Sequence, residues 1–198
     1  MRSEPQPTVQ TGDAAGPEEV SVRRLIESCQ AGDRAALELF FERYRDEVFT
    51  MAVSLCGDEV LAGDIAQDVF LKVMTRIRQF RFDAGVTTWL YRIVLNTFLD
   101  HRRSRRHENL AFEELMVAHA ATQHADVERR ETARLVRAAI TTLRPKLRMP
   151  LVLRYVSGLS YEESAAVLGI AVGTVASRLS RAHAALADKL RPLVERER

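Results

Sequence analysis

The sequence predicts an all-α fold made of two small helical domains joined by a flexible linker. Apolar residues recur at helical spacing through two long stretches, and an acidic, weakly periodic stretch separates them. No stretch alternates apolar and polar residues as a half-buried strand would. The length of 198 residues fits one large domain or two small ones.

The composition is that of an ordinary globular protein, with 46% hydrophobic and 28% charged residues. Charges interrupt the apolar stretches well short of the roughly 20 residues that a membrane span needs, and the polar N-terminus lacks a signal-peptide core. We therefore expect a cytoplasmic protein with no membrane insertion. Cys29 and Cys56 both fall within apolar helical patterns, which favours reduced core thiols over a redox pair or a metal site.

The formal net charge of +2 conceals an uneven distribution along the chain. Residues 1–20 and 108–131 are acidic, whereas residues 101–107 are basic. Residues 137–198 hold eleven Lys and Arg against five Asp and Glu, an excess that suits contacts with phosphates. The basic C-terminal part indicates a nucleic-acid partner.

The N-terminal domain, residues 21–106, is predicted to contain four helices. Residues 1–20 show no apolar periodicity and are expected to form a disordered tail. Local signals divide the rest, since Gly32 ends one helix and Asp33 caps the next. The expected elements are a helix capped by Ser21, a long helix from Asp33 to a break at 56–58, a helix over about 58–79, a loop over 80–88 and a helix over about 88–105. The stripe expected to be buried in the long helix is Leu37, Phe40, Phe41, Tyr44, Val48, Met51, Ala52 and Leu55.

Residues 107–130 are acidic and weakly periodic, which is typical of a linker. The C-terminal domain is predicted over residues 131–194, where the helical pattern returns. After Pro145 a helix is expected to about Val156, and Pro150 comes early enough to kink that helix rather than break it.

A helix-turn-helix pattern follows. Ser160 and Glu163 make a capping box, in which both side chains satisfy free backbone amides at the start of a helix over 161–168. Gly169 can take a positive φ in the turn, and a second helix is expected to start near Val172.

The second helix of this pattern has two distinct faces. Its apolar stripe consists of Val172, Val175, Leu179, Ala182, Leu186 and Leu190. Its outward residues are Thr174, Ser177, Arg178 and Arg181. Short side chains let a helix backbone approach the DNA major groove while Arg reaches bases or phosphates. The alternative is a solvated basic face on a bundle helix.

The third helix presents a mixed outward face. Its predicted buried stripe is Ile65, Ala66, Val69, Phe70, Val73 and Ile77. The opposite face carries Asp64, Gln67, Asp68, Leu71 and Lys72. An exposed Leu among acids indicates a surface for a partner. The alternative is a solvated acidic face in which Asp64 and Asp68 pair with Lys72.

The fourth helix interleaves aromatic, amide and basic groups. Trp89, Ile93, Asn96 and Asp100 follow near-helical spacing. Arginines that can neutralise phosphates are Arg92, Arg102, Arg103, Arg105 and Arg106. Trp89 is expected to pack inward rather than stack on a base, and Asp100 alternatively caps the helix or pairs with Arg103.

Several segments resemble a known family. Residues 64–70, DIAQDVF, and residues 88–103, TWLYRIVLNTFLDHRR, resemble conserved region 2 of the bacterial sigma factors. Residues 159–163, LSYEE, and residues 173–182, GTVASRLSRA, resemble region 4. The short linker is similar to that of the extracytoplasmic-function (ECF) group, and the resemblance covers about residues 21–194.

The resemblance implies a factor that binds core RNA polymerase and directs it to promoter DNA. It places the third helix on the clamp helices of the polymerase beta-prime subunit, through Asp64, Gln67, Asp68 and Leu71. It implies that the loop and the fourth helix read the minus-10 element and hold a flipped base, through Phe82, Asn96, Asp100, Arg102 and Arg103. Amides for base edges and an apolar wall for stacking are what such a pocket needs. The C-terminal domain is implied to bind the beta flap and, through Thr174, Ser177, Arg178 and Arg181, the minus-35 element. Family membership also implies control by an anti-sigma factor.

One departure and several alternatives stand beside this interpretation. Ala176 occupies a position where the group often has a basic residue, which either moves phosphate contacts onto Arg178 and Arg181 or changes the minus-35 preference. A sigma-like decoy for an anti-sigma factor would not need the basic residues, and a plain helix-turn-helix regulator leaves region 2 unexplained. No catalytic triad, phosphate loop or metal cluster stands out, so we expect neither an enzyme nor a cofactor.

Overall fold

A computed structural model describes residues 17–109 and 135–194, and all regular structure within these ranges is helical. The helices are α1 (Pro17–Gln30), α2 (Arg34–Cys56), α3 (Glu59–Arg76), α4 (Val86–Asn109), α5 (135–141), α6 (Pro145–Tyr155), α7 (Tyr161–Leu168) and α8 (Val172–Val194). A short 3-10 helix, Ile77–Gln79, follows α3. The all-α prediction is confirmed for this part of the chain.

Side-chain caps set the boundaries of the long helices α2 and α3. The Asp33 carboxylate accepts hydrogen bonds from two amides at the start of α2, as the sequence indicated. Gly57 then ends α2 at φ 79°, a left-handed conformation that glycine adopts without steric cost. Asp58 caps α3 in the same way as Asp33 caps α2. Only two residues, Gly57 and Asp58, therefore separate α2 from α3.

Two helices begin earlier in the structure than the sequence pattern indicated. Helix α1 begins at Pro17 rather than Ser21, because proline's fixed φ and missing amide suit the first position of a helix. Helix α4 begins at Val86 rather than 88, and it continues through Asn109, beyond the predicted start of the linker. Residues 1–16 and 110–134, with most of the predicted tail and linker, lie outside the described residues.

The core of the N-terminal helices follows the predicted stripes, with one correction. Ile26, Phe40, Ile65 and Leu90 are fully buried there. Phe41, which we expected inside, is 47% exposed because the turn of α2 points it toward the side of α3. The Cys29 thiol is buried and that of Cys56 half-buried, and burial raises the pKa of both, as expected for unreactive core thiols.

The C-terminal helices form the predicted helix-turn-helix. Both hydrogen bonds of the Ser160–Glu163 capping box are present, and the Ser160 amide and hydroxyl hold the pKa of the Glu163 carboxyl below its usual range. Gly169 takes φ 65° in the turn. Val175, Leu179 and Ala182 of α8 are buried, whereas Val172 is 39% exposed because it sits at the first, open turn of the helix.

The two groups of helices share a packed interface. Val152, Leu153 and Val167 belong to the same buried cluster as the residues of α1 to α4. Across this interface Arg92 of α4 donates to the backbone oxygen of Ala166 in α7. Arg148 of α6 is only 8% exposed and donates to the carbonyl of Leu55 at the end of α2.

No single helix within residues 17–109 and 135–194 is long and apolar enough to cross a membrane. Helices α7 and α8 reach that length and hydropathy only as a pair, and the chain bends by 101° between them.

Replacing Arg148 with alanine should lower the free energy of unfolding by about 2–4 kcal/mol, because buried carbonyl oxygens would lose their donor. Those oxygens belong to Leu55, Thr141 and Leu143. Urea unfolding followed by circular dichroism measures the change. The control is Arg144→Ala, since Arg144 is exposed and its side chain makes no cap hydrogen bond. An equal loss in both variants would contradict this role of Arg148.

Candidate functional site

An apolar groove of about 660 Å³ runs between α2 and α3. Its lining includes four large apolar side chains that are 40–57% exposed, namely Phe41, Phe49, Leu71 and Met74. Phe41 meets the half-buried ring of Phe70 edge to face, with 4.7 Å between ring centroids. Contiguous exposed apolar side chains are typical of surfaces that bind another molecule.

Polar residues of α3 border this groove. Gln67 is exposed and lines the groove, and Asp64 is exposed one turn earlier. Leu71, at 54% exposure, continues the same face. The structure therefore brings three of the four residues predicted to bind the polymerase to one exposed face.

The fourth of these residues, Asp68, turns toward α4 instead. Its carboxylate lies 2.7 Å from Nε2 of His101. Lys72 likewise reaches α4, where its ammonium donates to Asp100 at 3.1 Å and to Thr97 at 3.0 Å. The predicted alternative, in which Lys72 pairs with Asp64 and Asp68, is therefore wrong, because both Asp68 and Lys72 join α3 to α4.

Asp100 takes part in a second ion pair. Arg103 donates to its other carboxylate oxygen at 2.9 Å, which confirms the pairing that the sequence offered as an alternative. Asp100, Lys72 and Arg103 thus form a charge cluster on the outer face of α4. Asn96 and Arg102 are also exposed on this helix.

Phe82 lies in the loop that precedes α4, in a rare backbone conformation. Its φ of 60° is the only positive value of a non-glycine residue among those described, and a conformation of this kind costs about 1–3 kcal/mol. Its ring stacks edge to face on Phe80, at 4.9 Å between centroids, and the Arg23 guanidinium covers it at 4.7 Å. Trp89 packs on Phe80 from α4, which confirms that it points inward.

Phe82 and Asn96 lie on different elements, Phe82 in the loop and Asn96 within α4. Asn96 lies ten residues into α4 from Val86, a distance of about 15 Å along the helix axis. The pocket with Phe82 as wall and Asn96 as amide stays a prediction.

The second helix of the helix-turn-helix, α8, carries the predicted outward residues. Ser177 and Arg181 are exposed, while Thr174 and Arg178 are half-buried. Arg181 folds back on its own helix, donating to the Ser177 carbonyl at 3.1 Å and to its hydroxyl at 3.2 Å. The 101° bend between α7 and α8 falls in the range of DNA-binding helix-turn-helix units.

Sequence reasoning missed several residues that shape these surfaces. Phe49 and Met74 line the apolar groove and were not singled out from the sequence. Phe41 also lines the groove, although the sequence pattern placed it in the buried stripe of α2. Their spacing carried a usable signal, because Phe41 and Phe49 lie eight residues apart on α2, beside the buried stripe. Gln30 and Arg23, which contact the loop before α4, gave no local signal.

Family models match both parts of the chain. The model of sigma-70 region 2 matches residues 40–108, and that of sigma-70 region 4 matches residues 133–186. The chain is 35% identical over 183 residues to the RNA polymerase sigma-H factor of Pseudomonas aeruginosa, covering 87% of this chain and 95% of the relative. It is 34% identical over 193 residues to the ECF RNA polymerase sigma-E factor of Escherichia coli K12, covering 90% and 99%.

Solved structures of sigma factors share the fold. The sigma factor RpoE of Bartonella quintana, in complex with the anti-sigma factor NepR, has a TM-score of 0.66 at 26% identity, covering 78% of this chain and 96% of that one. CnrH in complex with the cytosolic domain of CnrY has a TM-score of 0.64 at 27% identity, covering 86% and 97%. With family matches to both regions and full-length relatives above 30% identity, the chain belongs to the sigma-70 family of RNA polymerase sigma factors, within the ECF group.

Proposed function

We propose that this protein is an ECF sigma factor that binds core RNA polymerase and directs it to promoters, with no catalysis of its own. The observation that carries the proposal is that one chain joins an exposed apolar groove on its region 2 to an exposed basic helix-turn-helix on its region 4. The polymerase makes the RNA, and this protein supplies promoter recognition in the cytoplasm, where polymerase and DNA meet. Regions 2 and 4 correspond to the proposed domains 21–106 and 131–194.

The polymerase contact is proposed at the groove and the adjoining face of α3. Asp64, Gln67 and Leu71 are free to meet the beta-prime clamp helices because they are exposed. The apolar floor suits a helix packed lengthwise between α2 and α3. Asp68 would contribute indirectly, since its bond to His101 fixes α3 against α4.

The minus-10 contact is proposed at two places on the same element. The loop with Phe82 supplies an aromatic wall, and the face of α4 with Asn96, Asp100, Arg102 and Arg103 supplies an amide and cations. Asn96 lies about 15 Å along α4 from Val86, at which the helix begins, so the minus-10 strand would run along this helix to meet both places.

The minus-35 contact is proposed at α8. Ser177 and the half-buried Thr174 are small enough to let the helix backbone approach a major groove, and Arg178 and Arg181 reach bases or phosphates. The same domain is proposed to bind the beta flap.

An anti-sigma factor is proposed as the regulator. The solved relative RpoE is in complex with the anti-sigma factor NepR, and CnrH is in complex with the cytosolic domain of CnrY. An anti-sigma segment that fills the apolar groove would exclude the polymerase by occupying the same surface, so binding of the two should be competitive.

Replacing Leu71 with aspartate should weaken binding to core RNA polymerase by about tenfold or more, because it places a charge in the apolar contact. Gel filtration and a fluorescence titration of labelled protein with sigma-free core polymerase measure the effect. Val60→Asp is the matched control, since Val60 is 79% exposed on the same helix and does not line the groove. If both variants bind like the unmodified protein, the groove is not the polymerase contact.

Replacing Arg178 or Arg181 with alanine should weaken minus-35 binding of the holoenzyme by about tenfold. A base contact would relax preference at one position, whereas a phosphate contact would weaken all sequences alike and reduce the salt dependence. Binding to minus-35 duplexes with single substitutions, at several salt concentrations, separates the two. Arg191→Ala serves as control, because Arg191 is an exposed arginine of α8 paired with Asp188 in its last turns. An equal loss with this control would argue against a specific role for the two tested arginines.

A further inference from the structure

The loop before α4 is tied to a helix far away in the chain. The side-chain amide of Gln30, the last residue of α1, donates to the Ile77 carbonyl at 3.0 Å and to the Phe80 carbonyl at 2.8 Å. Ile77 is the first residue of the 3-10 helix, and Phe80 is its C-cap, at which the loop begins. One half-buried amide therefore fixes the path of the chain at the entry to the loop.

A second residue of α1 covers the ring of Phe82. The Arg23 guanidinium lies 4.7 Å from the ring centroid, in the geometry of a cation–π contact. Glu27 holds that guanidinium in place through an ion pair of 3.1 Å on the same helix. Both contacts of α1 thus converge on one loop.

Phe82 needs such support because of its backbone. At a φ of 60° an L-residue is strained, and such a conformation persists only when surrounding contacts determine it. The contacts that support the loop are the Phe80 ring beside Phe82, the Arg23 guanidinium over it and the Gln30 amide at the loop entry. Removing the anchor would let the loop relax to ordinary conformations.

Attachment of α1 to the core does not depend on these contacts. Ile26 and Cys29 of α1 are buried in the main cluster and hold the helix there. Gln30 and Arg23 lie outside residues 40–108, which the region 2 family model matches. Because Ile26 and Cys29 attach α1 to the core, the hydrogen bonds of Gln30 and the ring contact of Arg23 act mainly on the loop.

We infer that Gln30 and Arg23 are positioning residues that hold the loop of residues 80–85 in the shape with which it reads a minus-10 base. This inference rests on the proposed role of the loop in minus-10 recognition. A loop fixed in advance discriminates between bases because a wrong base cannot be accommodated by rearrangement. The two residues thus act on base discrimination rather than on polymerase binding.

The test compares side chains of similar size that lose or keep the donor. Gln30→Glu and Gln30→Met remove the amide donor, and Gln30→Lys supplies an ammonium donor in its place. Gln79→Glu is the matched control, because it makes the same chemical change at an exposed residue within the 3-10 helix. Arg23→Met removes the cation over Phe82, and Glu27→Gln tests the ion pair alone.

Each variant is assembled with core polymerase and assayed by run-off transcription on promoters that carry each of the four bases at every minus-10 position. We expect Gln30→Glu, Gln30→Met and Arg23→Met to lower discrimination at one position by about tenfold, while polymerase affinity is unchanged. Gln30→Lys and Gln79→Glu should keep the discrimination of the unmodified protein.

Two results would overturn the inference. One is an equal drop of transcription on every base, which would show that Gln30 and Arg23 support only the fold. The other is unchanged discrimination in all variants. The failure of the proposed function looks different, because the unmodified protein itself would then show no preference among minus-10 bases. Arg23 is an exposed residue, so its variant keeps the test decisive if a Gln30 variant does not fold.

Discussion

The buried guanidinium of Arg148 is the interaction on which the arrangement of the helices depends. It bonds to the carbonyl of Leu55 at the end of α2 and to those of Thr141 and Leu143 around the turn between α5 and α6. The C-terminal end of a helix carries partial negative charge, so a cation there is stabilised without a carboxylate partner. Burial and the charge of Arg102 lower the pKa of Arg148 to about 10, which leaves it protonated at neutral pH. One side chain therefore joins the end of α2 to α5 and α6, the helices that precede the helix-turn-helix.

Some polar and charged residues join helices to one another, whereas other residues on the surface are exposed and make no such contact. Asp68 and Lys72 join α3 to α4, and Arg92 joins α4 to α7. Truncating these residues would disturb the fold and any partner contact together. Asp64 and Leu71 lie on α3 with exposed side chains, so their substitution changes partner binding with less effect on the fold.

Much of the fold could be predicted from the sequence because its signals are local. Asp33, Ser160 and Gly169 each act within four residues of their own position, and the structure confirms all three. The contacts of Gln30 with Phe80 and of Arg148 with Leu55 could not be predicted, because they join residues 50 and 93 positions apart. The candidate site was predicted as a set of faces on helices. The depth of its groove, provided by Phe41 and Phe49, required the structure.

The strain at Phe82 explains why the loop needs an anchor from so far away. Glycine adopts a positive φ without strain, and the loop contains one at Gly85. The residue with the left-handed conformation is nevertheless Phe82. An aromatic ring there supplies a flat apolar face that glycine lacks. The contact with Phe80 orients the Phe82 ring. The position of the loop entry is set from outside the loop, by the hydrogen bond from Gln30 of α1 to the Phe80 carbonyl. The cost of the strained backbone is thus offset by contacts from a helix whose own packing is independent of the loop.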